Sequence, residues 1–228
     1  MFRYALIGIV LLTLSGAPVP ARPRSAAETP KKDKAVRTVA VLIFDGVELM
    51  DFAGPAEVFI VANEGKAFRV VTVSNSTKPI KTMGGIAVTP DYDYKKAPKA
   101  DILVVPGGGM SSVNKAGRAW LKKAAKEAKI VLSVCVGALL LAEAGLLDRI
   151  EATTHSWAIA KLKAAAPKCK VVKGRRFVDS GKVVTTAGVT AGIDGALHIV
   201  ERMLGKEAAR WTAEEWMEHK RERMPAKK

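Results

Sequence analysis

From residue 38 onward the chain alternates short, wholly apolar runs with longer segments of helical periodicity. "TVAVLIF" (38–44) is unbroken apolar, the pattern of a strand covered on both faces. The polar loop "DGVELMD" follows, and "FAGPAEVFIVAN" then reads as a helix with Pro55 in its first turn. "FRVVTVS" is a second strand, and "KPIKTMGGIAVTPDYDY" a hairpin excursion around Gly84 and Gly85. "DILVVPGGG" is a third buried strand ending in a glycine turn, "AGRAWLKKAAKEAK" an amphipathic helix, and "IVLSV" the next strand. A helix over about 137–147 comes next, then "ATTH", a helix near 156–165, and a hairpin in "RRFVDSGKVVTTAG" turning at Ser180-Gly181. "AGIDGALHIVERMLG" is a strong helix stopped by Gly205, and 207–222 read as a charged final helix. Alternating strands and helices predict an α/β fold: one domain, a mostly parallel sheet and helices on both faces.

In such a sheet, sites form at the carboxyl ends of strands. Three groups fall there: Cys135 after "IVLSV", the run Gly107-Gly108-Gly109 after "DILVVP", and Asp45, Glu48 and Asp51 after the first strand. A cysteine at a strand-to-helix joint meets the helix N-terminus, which carries roughly half a unit of positive charge and favours a thiolate. A glycine turn lets backbone N–H groups approach a substrate as an oxyanion hole. An ionised carboxyl group would oppose the thiolate, whereas a protonated one would hydrogen-bond the sulfur and donate a proton. The four tryptophans, Trp120, Trp157, Trp211 and Trp216, read as packing residues, and Thr153 and Thr154 as structural.

The first residues read differently. "MFRYALIGIVLLTLSGAPVPA" has one early Arg, an apolar run from Ala5 to Leu14, and small residues at Val19 and Ala21. This is the form of a secretory signal over 1–21, which implies an exported, periplasmic or secreted protein. Retained, it would be an N-terminal membrane anchor instead. Residues 22–35, "RPRSAAETPKKDKA", form a basic, polar linker expected to be disordered, and the domain is expected over 36–205 with a charged helix and tail over 206–228.

The chain has 228 residues and a formal charge of +15. Lys and Arg are spread over linker, helices and tail, and no nucleic-acid-binding motif accompanies them. A solvated basic surface suited to weak association with anionic envelopes is expected, with no specific nucleic-acid partner. The two cysteines, Cys135 and Cys169, sit in unlike surroundings, so no disulfide is expected. No Cys/His spacing suggests a metal, and no dinucleotide or phosphate-loop fingerprint suggests a cofactor.

The stretches "VAVLIFDGVELMDFAGPAEVF", "DILVVPGGGM", "SVCVGALLLAEAGLLD", "ATTHSWAIAKL" and "VVTTAGVTAGIDGALHIVERMLG" together resemble the ThiJ/PfpI family of the class I glutamine-amidotransferase-like superfamily, most nearly its isocyanide-hydratase-like members. That resemblance implies a flavodoxin-like three-layer sandwich, usually homodimeric, acting on a small-molecule substrate. It also implies Cys135 as nucleophile, Asp51 as the acid beside it, His155 as a histidine near the cysteine, and Gly107, Gly108 and Val136 on the oxyanion side. Relatives of the hydratase type carry Thr directly after the nucleophile, where this chain has Val136. The backbone N–H there survives and the hydroxyl does not. The reading from another class is a non-catalytic redox or stress sensor working through oxidation of Cys135.

Overall fold

The structure is a computed structural model that describes residues 36–220. The expected export signal (1–21), the linker (22–35) and residues 221–228 lie outside the described residues. The elements run β1 (Arg37–Leu42), α1 (Leu49–Val61), β2 (Phe68–Ser74), β3 (Ile80–Lys81), β4 (Ala87–Val88), β5 (Tyr92–Asp93), β6 (Ile102–Val105), α2 (Lys115–Glu127), β7 (Ile130–Ser133) and α3 (Gly137–Glu143). They continue through β8 (Glu151–Ala152), α4 (Ile159–Ala165), β9 (Lys170–Val171), β10 (Phe177–Ser180), β11 (Val183–Thr186), α5 (Ala191–Leu204) and α6 (Lys206–Trp211), which passes into a π-helical turn over Thr212–Trp216.

Seven strands form one sheet in the order β10-β11-β7-β6-β1-β2-β5, and all neighbours pair in parallel except β10 with β11. The central strands, in chain order, are arranged 2-1-3-4-5, the flavodoxin-like doubly wound order. Every residue of β6 and β7 is buried, which is why both read as continuous apolar runs. Helices α1 and α5 pack against each other and onto the sheet, while α3 leans on β6, β7 and α4. The order in which strands are added reverses between β1 and β6, and at such a switch point the carboxyl ends of strands open a crevice.

Both expected hairpins form, around Gly85 (φ +83°) and Gly181 (φ +84°). The start of α1 differs from the sequence reading. The chain turns at once after β1, with Val47 N–H donating to Phe44 O, so α1 begins at Leu49. Asp51 therefore sits in the helix's first turn rather than in a loop. Pro55 sits a turn further in, where its missing N–H leaves the Asp51 carbonyl without the usual helical donor. The tryptophans also divide: Trp120 stacks on Tyr94, while Trp157 and Trp216 are exposed. Segment 206–216 packs on α5 and α1, and Ala209, Thr212 and Ala213 have no exposed surface.

Candidate active site

Cys135 leaves β7 in the left-handed region (φ +57°), uncommon for a residue with a side chain. The strain is held by close packing. Cys135 N–H donates to Ala187 O (2.9 Å), and Val134 N–H donates to Val105 O (3.0 Å). The Thr154 hydroxyl donates to Cys135 O (2.7 Å). The next position but one must be glycine, since a Cβ on Gly137 would lie 2.1 Å from Val105 O. The joint is thus a tight elbow against the end of β6. It turns the cysteine side chain toward Asp51, and the Val136 N–H bonds back to the sulfur.

Asp51 has no exposed surface, yet three donors converge on its carboxyl group. Gly107 N–H donates to Oδ2 (3.0 Å), Val189 N–H donates to Oδ1 (3.0 Å), and the Cys135 thiol is hydrogen-bonded to it as well. Each donor comes from the end of a different strand, β6, β11 and β7. The loops after β1 and β6 are laced together: Glu48 N–H donates to Gly107 O (3.1 Å) and Gly109 N–H to Gly46 O (2.8 Å). Gly108 (φ +122°) is required here, because a Cβ would overlap Gly46 O at 2.3 Å.

Burial pushes Asp51 up from 3.8 to about 6, against the two backbone N–H bonds and the thiol that favour its charge. Burial, and then the Asp51 charge, push the Cys135 thiol up to about 12, against the Val136 N–H. The charge of Glu48, at the N-cap of α1, raises both. The sequence reading expected the helix end to hold a thiolate. Desolvation and the neighbouring acid outweigh that one amide, so thiol and carboxyl group are both pushed toward their protonated forms.

The expected residues are gathered unevenly. Cys135, Asp51 and Val136 meet. The Gly107 N–H, expected to face a substrate, is instead spent on Asp51, and the Val136 N–H on the Cys135 sulfur. Asp45 is exposed and accepts from Lys81 N–H (2.8 Å), tying down the β3–β4 hairpin. The Cδ2 edge of the His155 ring abuts Gly188, where a Cβ would come within 2.0 Å of it, and its Nδ1 accepts from Trp157 N–H at 3.4 Å. Among the described residues no hydrogen bond joins that ring to Cys135 or Asp51. Val189 was not anticipated. It holds φ +53°, an outlier for a β-branched residue, and nothing in "AGVTAG" marks it. The available signal was topological: β11 is another parallel strand, and its carboxyl end opens onto the same edge. Among the described residues no three His, Cys, Asp or Glu side chains gather as a metal cage.

The DJ-1/PfpI family profile matches residues 37–202, from the start of β1 almost to the end of α5. The chain belongs to the DJ-1/PfpI family. It is 42% identical over 133 residues to an uncharacterised protein from the cpoL 5′ region of Streptomyces lividans, covering 57% of this chain and 94% of that one. It is 31% identical over 174 residues to an isonitrile hydratase of Pseudomonas putida, covering 75% of this chain and 74% of the relative. Among solved structures, a ThiJ/PfpI family protein from Pseudomonas syringae superposes with a TM-score of 0.73 at 26% identity, covering 90% of this chain and 86% of that one. The family match spans every strand end that contributes to the elbow and the acid.

Proposed function

We propose that this chain performs cysteine-nucleophile chemistry on a small electrophilic carbon, as a hydratase or hydrolase. The observation that carries the reading is the Cys135–Asp51 contact: a buried acid with a value near neutrality, hydrogen-bonded to a thiol on a strained elbow. Since burial and the neighbouring acid favour the protonated thiol, attack requires a base, a role we give to Asp51. For an isocyanide, the Cys135 sulfur bonds to the terminal carbon while its proton passes through Asp51 to that carbon, giving a thioimidate. Water then adds to the carbon, the nitrogen takes a proton, and the C–S bond breaks. Cys135 regains its proton and an N-substituted formamide leaves. On this reading the Gly108 and Val136 amides, which the family resemblance puts on the oxyanion side, bind the oxygen that develops charge as water adds.

The resemblance to an isonitrile hydratase supports this substrate class, and Val136 argues for a restricted version of it. Turnover of isocyanides, amides and α-oxoaldehydes by wild type, Cys135→Ala and Val136→Thr tests the reading. Cys135→Ala should abolish turnover, and Val136→Thr should raise isocyanide hydration several-fold. Stoichiometric oxidation of Cys135 without turnover would instead select the sensor. The export and homodimer readings rest on the apolar run 5–14 and on the family resemblance, respectively.

A further inference from the structure

The segment 187–190 carries more of the site than its sequence suggests. Ala187 O accepts the Cys135 N–H, the His155 ring packs on Gly188, and the strained Val189 N–H donates to Asp51. Arg176, just before β10, holds this segment at both ends. Its own carbonyl accepts from Ala187 N–H (2.7 Å), and its Nη2 donates to Thr190 Oγ1 (3.2 Å). The guanidinium is aimed by Asp194, a fully buried carboxylate on α5, which accepts from Arg176 Nε (2.5 Å). The other Asp194 oxygen lies 3.1 Å from Nε2 of His219, in the C-terminal segment.

We propose that Arg176, oriented by Asp194, is a positioning residue that clamps the 187–190 turn and so keeps the Val189 amide on Asp51 and the Ala187 carbonyl on Cys135. The proposal rests on the cysteine–acid reading above. A β-branched residue at positive φ persists only where its surroundings over-determine it, and this turn is pinned at its first and last residues by one side chain's owner. Arginine is required because two acceptors in different directions need a planar fork, and lysine offers a single point charge. The Arg176 charge is matched by Asp194, so the clamp acts through geometry.

The test uses full-length protein, with Arg176→Lys and the exposed-site variant Thr190→Ala. Iodoacetamide alkylation of Cys135 is followed against pH, and amide hydrogen exchange is followed over 187–190. With the Val189 donor loosened, the Asp51 carboxylate loses stabilisation, and the acidic limb of the alkylation profile should move up by about one pH unit. Glu48, the charged group that bears on both members of the pair, is unchanged in these variants. Exchange over 187–190 should rise at least tenfold, with melting temperatures within a few degrees of wild type. A limb that stays in place overturns the clamp, even where melting temperature falls, because that marks a purely structural ion pair. Should wild-type Cys135 alkylate no faster than Cys169, the cysteine-nucleophile reading is lost. The clamp is then judged by exchange alone, and unchanged exchange in Arg176→Lys overturns it.

Discussion

Asp51 does two jobs that only a carboxyl group can combine. Each oxygen accepts a backbone N–H, and in the proposed reaction one proton must also pass to and from sulfur. A carboxamide fails here, because its NH2 would face one of the two amides. Asp51→Asn should therefore lose turnover and also about 1–3 kcal/mol of stability, the cost of a buried unpaired donor, read by urea unfolding at pH 7. The pH dependence follows from the direction of the shift. With the folded value raised from 3.8 to about 6, the stability that protonated Asp51 contributes is complete below about pH 4 and is lost as pH rises through about 6. The stability gap between wild type and Asp51→Ala should accordingly narrow by about 2–3 kcal/mol from pH 4 to pH 7.5. Alkylation gives a second measure. Cys135 should react along a plateau that begins near pH 6, while Cys169 should speed up about tenfold per pH unit to pH 9. At this scale Cys135 was legible because the sequence puts a reactive side chain at a strand end, whereas Asp51 was singled out from Asp45 and Glu48 only by the family resemblance. Val189 was not legible, since its contribution is a backbone N–H, which no residue type announces. The upward push on the thiol escaped for a related reason: the competing carboxylate lies 84 positions away in the chain, and its burial is a property of the fold.

At the scale of elements, the site depends on how closely α3 can follow β7. Gly137 sits where a methyl group would strike the carbonyls of Val105 and Pro106, both main-chain atoms with little freedom to move. Gly137→Ala should cost about 2–3 kcal/mol and displace the elbow. Gly84→Ala, with open space around its Cβ, should cost much less, and thermal unfolding of the two variants checks the contrast. The hairpins at Gly85 and Gly181 were readable because positive φ needs glycine and the flanking residues alternate. The start of α1 was misplaced because Leu49 and Met50 look like loop residues beside Glu48 and Asp51. Only the docking of α1 against α5 decides which turn they join.

At the scale of the molecule, the mostly parallel sheet followed from alternation alone, whereas the place of segment 206–216 did not. It read as a charged final helix, and nothing in its sequence told that Ala209, Thr212 and Ala213 are buried and that the segment packs on α5 and α1. Deleting residues 206–228 should lower the melting temperature by about 10 °C, since uncovering those faces removes several kcal/mol. The fold also sets a timetable. Asp51 and Val189 are 138 positions apart, so the acid's second amide arrives only after β11 has taken its place beside β7. Until then the acid lacks its Val189 amide and Cys135 its Ala187 carbonyl. The thiol–acid pair is thus incomplete in every intermediate that lacks its last parallel strand, and a chain arrested short of completion offers only the reaction of an ordinary thiol.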